Sequence, residues 1–246
     1  MSEAIELAGR AALITGASGA IGGAIADALA GAGMALLLTG RDRGKLEAAA
    51  ERASARGAAS AQAWPADLAA EGAAEALAER ALAALGGIDV LVHALGVFSA
   101  GAIADSPLDD LDRQLRVNLR APWALTRALL PALVARRGQV AFINSSAGLF
   151  PARGAWSAYA ASKHALRAFA DSLRDEVNPA GVRVVSVYPG RTAGPMQEQV
   201  KRFEGRPYDP ARLLQPADVA ATLLAALSLP RSGEVTDLSV RPMRPG

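Results

Sequence analysis

The chain has 246 residues, 51% hydrophobic and 20% charged, with a formal net charge of +2. That composition suits one globular domain and excludes a disordered chain, and the absence of any Lys/Arg cluster on one element argues against nucleic acid as a partner. There is no cysteine, which rules out disulfides, a thiol nucleophile and thiolate metal sites; no other metal-ligand cluster is visible.

The first residues, MSEAIELAGR, lack the apolar run of a secretory leader. The longest apolar stretches, AALIT and MALLL, fall far short of the ~20 residues that span a bilayer, so a soluble, cytoplasmic protein with no membrane contact is expected. Short aliphatic runs predict strands at 11–15, 34–39, 60–64, 89–94, 138–144, 182–187 and 234–240. Longer Ala-rich stretches predict helices near 20–32, 42–56, 68–86, 106–116, 119–136, 157–178 and 216–228. This alternation predicts an α/β fold: a Rossmann-like doubly wound sheet of about seven parallel strands with helices on both faces. VLVHA and VAFIN are apolar at nearly every position, as strands covered on both faces must be. No linker or internal repeat divides residues 1–246, which read as a single domain.

The first strand runs into a glycine-rich turn, AALITGASGAIGG, and then a helix. Glycines let the backbone approach a ligand closely, and a helix N-terminus offers free N–H groups to a pyrophosphate. Gly16, Ser18, Ala20, Ile21 and Gly22 are the expected contacts. The second strand ends LLLTGRDRGKL, with no acid to accept a ribose 2′-hydroxyl. Arg41 can instead hold a 2′-phosphate by charge-assisted hydrogen bonds, which favours NADP over NAD. Arg43 is a second candidate or a solvated residue of the next helix, which Asp42 can cap. Asp67-Leu68 follows the third strand, where the aspartate can cap helix 68–86. His93 ends the fourth strand and reads as structural, and His164 as a helix residue without a chemical role.

Helix 157–178 carries Tyr159 and Lys163 one turn apart on one face, and Leu166, Phe169, Ala170, Leu173 and Val177 continue its helical spacing. An i,i+4 Tyr/Lys pair is common. A serine thirteen residues before Tyr159, just after the apolar strand VAFIN, makes the set much more specific. That spacing selects Ser146 over its neighbour Ser145. Residues 189–215, rich in Pro, Gly and charge, read as a long loop: a lid over a substrate site, or a passive surface excursion.

The glycine turn and the Ser…Tyr-x-x-x-Lys set together resemble the short-chain dehydrogenase/reductase family along essentially the whole chain. The family turn reads T-G-x-x-x-G-x-G; here Ala20 stands at the second glycine. The resemblance places Gly40 where NAD-specific members have aspartate, Asp67 on the adenine amino group, and His93-Ala94-Leu95-Gly96 at the family's Asn-Asn-Ala-Gly. Ala94 and Gly96 then pass close to the cofactor. It implies catalytic roles for Asn118, Ser146, Tyr159 and Lys163. Tyr159 is the acid/base, Lys163 depresses its pKa and holds the nicotinamide ribose, Ser146 binds the substrate oxygen, and Asn118 holds a relay water. Pro189-Gly190 resembles the turn beside the nicotinamide, with Thr192 a candidate for the carboxamide because Gly194 occupies the position of the family's usual threonine.

The expected activity is hydride transfer between NADP(H) and a small-molecule carbonyl or secondary alcohol. A 3-oxoacyl-carrier-protein reductase is a narrower version. A cofactor-binding sensor or scaffold without turnover is the alternative, and a methyltransferase leaves the Ser/Tyr/Lys set unexplained. Val97, Phe98, Leu149, Phe150, Trp156 and Met196 could line an apolar pocket or be ordinary core. Arg191, Lys201 and Arg202 could meet an anionic substrate or be solvated. The resemblance implies a homotetramer or homodimer, with helices 106–136 and 157–178 as interface candidates.

Overall fold

The computed structural model describes residues 4–150 and 154–243. Seven strands form one sheet in the order β3-β2-β1-β4-β5-β6-β7. They are β1 (Ala11–Thr15), β2 (Ala35–Gly40), β3 (Ser60–Pro65), β4 (Val90–His93), β5 (Gln139–Ile143), β6 (Arg183–Pro189) and β7 (Asp237–Val240). Every neighbouring pair is parallel, so every connection crosses over a face of the sheet.

The crossovers are helical: α1 (Ala20–Gly31), α2 (Arg43–Ala55), α3 (Ala73–Leu85), α4 (Leu108–Leu115), α5 (Ala121–Arg136), α6 (Ser157–Val177), α7 (Pro195–Phe203) and α8 (Pro216–Leu227). On one face, Ile25 and Leu29 of α1, Leu46 of α2 and Leu223 of α8 bury against Ile14, Leu36 and Val92. On the other, Leu77 of α3, Leu125 and Leu129 of α5 and Leu166 of α6 bury against Leu13, Leu91 and Phe142. Adjacent strand residues thus enter opposite cores, which is why β1, β4, β5 and β6 are buried along their whole length.

Some boundaries differ from expectation. The helix expected over 68–86 begins at Ala73, because Gly72 precedes it in the left-handed region at φ +71°. Asp67 therefore caps a turn, accepting from the Ala69 amide at 3.0 Å, and not that helix. Asp42 does cap α2, accepting from the Lys45 amide at 3.0 Å. The helices expected over 106–116 and 119–136 form one rod, joined by a π-helical turn over Arg116–Arg120. The segment 189–215 is not one long loop. It holds α7, whose Gln197, Val200 and Lys201 are buried at helical spacing. Three residues of sheet are lost before Asp237, and β6 runs two residues past its expected end.

Candidate active site

In an open parallel sheet, ligands bind beyond the carboxyl ends of the strands, where the winding reverses. Here that point lies between β1 and β4. A cleft of about 640 Å³ opens there, lined by the turns that follow β1 through β6. Of the expected site residues, all but Asn118 line it.

The turn after β1 forms one end. Gly16 sits at φ +69°, and a Cβ there would come within 2.6 Å of the Ala94 backbone. The Gly19 amide bonds the Gly16 carbonyl at 2.9 Å, and the Gly23 amide is the first to bond back along α1, to Gly19 at 2.9 Å. The amides of Ala20, Ile21 and Gly22 thus stand at the helix start with no turn before them to accept. No side chain caps Gly19, and no acid lies in the first turn of α1. Ala20 is the first residue of α1 and needs no glycine conformation. Beside this turn, Arg41 is exposed on the cleft together with Lys45, a cation the sequence reading did not single out. Arg43 pairs with Glu47 at 3.5 Å as a solvated helix residue. A cleft end with free amides and two cations suits the phosphates of a dinucleotide, including a 2′-phosphate beside Arg41.

The other end carries the reactive side chains. Tyr159 and Lys163 lie on the inward face of α6, 7% and 3% exposed. The Lys163 ammonium donates to the Ile143 carbonyl at 3.2 Å and sits 5.9 Å from the centre of the Tyr159 ring. Burial pushes Lys163 down to about 8 and pushes the Tyr159 phenol up, while a hydrogen bond from the side chain of Ser145 opposes that rise. A phenol depressed by the Lys163 cation and the oxidised nicotinamide ring together is expected only with cofactor in place. In the protein alone burial outweighs the Ser145 hydrogen bond, and Tyr159 holds its proton.

Ser145, not Ser146, is the hydroxyl set against Tyr159. Ser145 is half-buried at the end of β5, with its side chain accepting from the Ala147 amide at 3.2 Å. Ser146 begins a 3-10 turn and is exposed. The thirteen-residue count to Tyr159 runs through the loop before α6, so it does not by itself decide which of the two serines faces the phenol.

Asn118 is fully buried in the π turn. Its Oδ1 accepts from the Val97 amide at 2.8 Å, and its Nδ2 donates to the Val97 carbonyl and to Ser162 Oγ, both at 3.0 Å. The side chain is thus spent on clamping the segment after β4 and α6. π turns inside α-helices recur at functional sites.

His93 is buried, stacked on Phe142 at 5.0 Å, with Nε2 2.9 Å from Thr126 Oγ1. Desolvation lowers its pKa to about 3, which keeps it neutral. His164 lies 2.9 Å from the Ala160 carbonyl within α6. Next to Tyr159 the wall is apolar: Phe98 meets both Trp156 and Tyr159 edge-to-face at 5.2 Å, and Val200 of α7 completes the cluster. Val97 and Met196 also line the cleft, whereas Leu149 and Phe150 do not. Arg191 lines it too, but its guanidinium makes a bidentate pair with Glu204 at 2.6 and 2.8 Å; Lys201 and Arg202 lie outside. Among the described residues no three His, Asp or Glu groups could hold a metal, and no helix is long and apolar enough to cross a membrane.

A cleft with helix amides and cations at one end and a Ser/Tyr/Lys set at the other suits a nicotinamide oxidoreductase. Residues 10–205 match the family model described as short chain dehydrogenase, and the chain belongs to that family. It is 36% identical over 236 residues to an uncharacterised short-chain type dehydrogenase/reductase of Sinorhizobium fredii, covering 94% of this chain and 90% of that one. An alcohol dehydrogenase from Thermococcus sibiricus, solved with 5-hydroxy-NADP, superposes with a TM-score of 0.86 at 26% identity, covering 96% and 99% of the two chains. A 3-oxoacyl (acyl-carrier-protein) reductase from Agrobacterium tumefaciens, solved with NADP, superposes at 0.83 with 30% identity, covering 95% and 94%.

Proposed function

We propose that the chain transfers a hydride between NADP(H) and a carbonyl or secondary alcohol, with Tyr159 as its acid/base. The observation that carries this is the buried Tyr159 and Lys163 with half-buried Ser145 at the far end of a cleft that begins at free helix amides and Arg41. The relatives solved with NADP or its derivative support the cofactor.

When bound, the nicotinamide supplies or accepts the hydride. The protein does the rest. Reduction leaves negative charge on the substrate oxygen, and the Tyr159 phenol, held protonated by burial, gives its proton to that oxygen. Ser145 donates a hydrogen bond to the same oxygen and stabilises the charge as it develops. Lys163 is charged below about pH 8, where it favours the phenolate left behind and can hold the ribose hydroxyls. The Asn118 side chain, bonded to the Val97 backbone and Ser162, holds the segment after β4 against α6 beside the reactive pair. The wall of Phe98, Trp156 and Val200 favours an apolar substituent on the substrate.

The working form is a homodimer or homotetramer joined through α5 and α6. A shallow second cleft of about 420 Å³ between these helices, edged by Trp123, Leu130 and Phe169, supports that reading, and Trp123 is 46% exposed.

A fluorescence titration tests the cofactor. NADPH is expected to bind at least about tenfold more tightly than NADH, and Arg41→Asp to erase the difference. Equal binding of both would make Arg41 a surface residue. Tyr159→Phe is expected to bind NADPH normally yet to lose turnover across a carbonyl panel. Full turnover by that variant would remove Tyr159 from the chemistry.

A further inference from the structure

The wall of the cleft beyond β6 is a short strap, residues 190–194, running from the strand end to the start of α7. Three bonds tie it to the segment beyond α7. The Ala193 amide donates to the Leu214 carbonyl at 2.8 Å, the Leu214 amide donates to the Arg191 carbonyl at 3.0 Å, and the Gly194 amide donates to the Tyr208 hydroxyl at 2.9 Å. The Gly194 carbonyl already accepts the first bond of α7, from the Glu198 amide at 3.1 Å. Pro195 follows and has no amide. The Tyr208 hydroxyl therefore grips the joint between strap and helix.

That joint has little room. Gly194 lies at φ +149° and ψ 174°, a region other residues seldom enter. A Cβ there would come within 2.8 Å of the Cβ of Ala20. Ala20 opens α1, at the end of the cleft where the free helix amides stand, and both residues line the cleft. The strap thus rests against the first turn of α1, and its shape sets the gap between them. Glycine has the widest backbone freedom of any residue, so an outside partner must fix that shape.

We propose that Tyr208 is a cofactor-positioning residue: its hydroxyl holds the Gly194 amide so that the strap keeps the gap against Ala20 at the width the dinucleotide needs. Ala20 and Gly194 form a matched pair in which one side chain occupies the space the other gives up. The inference rests on the cleft being the NADP(H) site.

Tyr208→Phe keeps the ring and removes only the hydroxyl. Titration with NADPH is expected to show a Kd raised about three- to tenfold, the worth of one neutral hydrogen bond, with kcat at saturating NADPH within about twofold of wild type. In the ligand-free protein the Gly194 amide should exchange faster with deuterium while the thermal midpoint holds. A merely structural role would lower the midpoint and kcat together. Gly194→Ala should weaken NADPH binding about tenfold or more, and Ala20→Gly in the same chain should recover part of that loss, giving a non-additive cycle. A Tyr208→Phe protein with wild-type affinity overturns the role of Tyr208. Strict additivity of the other two substitutions overturns the matched pair. If wild-type protein takes up no NADPH, the reading of the cleft fails, and the role of Tyr208 with it.

Discussion

Ser145 and Ser146 stand side by side in the chain and in different surroundings: one half-buried against the Tyr159 phenol, the other exposed at the start of a turn. A donor aimed at the oxygen where charge develops is worth about 10²–10³ in rate. Ser145→Ala should therefore cut kcat by about that factor on the best carbonyl of a panel, and Ser146→Ala should change it by less than about twofold. The reverse pattern would return the role to Ser146. Tyr159 and Lys163 were legible in the sequence because helical spacing fixes two residues one turn apart on a single face. The serine was not, because its distance to Tyr159 is counted through loop residues whose number spacing alone cannot predict. Lys45 was missed for a similar reason. Nothing in its sequence position says that the first turn of α2 faces the cleft, and its i−3 partner Asp42, at 3.3 Å, is what a solvated helix residue would have.

At the scale of elements, α7 is where the sequence was least informative. Its residues PMQEQVKRF carry little apolar content, and Pro and Gly flank it on both sides. The helix forms because Pro195 suits its first position and because Val200 joins the cluster around Phe98. Its far end is tied back by Arg191 and Glu204, whose bidentate pair pushes the carboxyl of Glu204 below its usual range. Glu204→Gln keeps the shape and removes the charge. The expected result is faster deuterium exchange over 195–203 and a KM for the carbonyl substrate raised about three- to tenfold, with kcat changed less. Unchanged protection of α7 would mean that packing of Val200 alone holds the helix. The missing start of the helix expected over 68–86 has an equally local cause. Leu68–Glu71 are acceptable helix formers, but Gly72 in the left-handed region breaks the chain direction before the helix begins.

At the scale of the whole molecule, the alternation of strand and helix was readable because the central strands are covered on both faces and so read as largely apolar runs, whereas the edge strands β3 and β7 are partly exposed. A contact surface is not readable in that way, since an apolar residue that would meet a second chain looks like any other exposed one, and the sequence makes α5 and α6 interface candidates only through the family resemblance. Trp123 packs against Phe169 with ring centres 6.4 Å apart, and Arg127 lies over the Trp123 ring at 5.8 Å, on the outer side of α5 and α6. Light scattering should give two or four times the 25.2 kDa of one chain, and Trp123→Glu should shift the mass toward a single chain. A single-chain mass for the unaltered protein at micromolar concentration would remove the interface.

The π turn at Arg116–Arg120 has a consequence for the phase of everything after it. One residue more than an α turn is accommodated there, and each residue rotates a helix by about 100°. With that residue in place, Asn118, Leu125 and Leu129 look inward while Trp123 and Arg127 look out. Shortening the turn by one residue would rotate the sixteen-residue helix that follows by about a quarter of a circle, carrying the inward stripe toward solvent. The same extra residue thus sets which side of α5 faces the sheet and which faces outward.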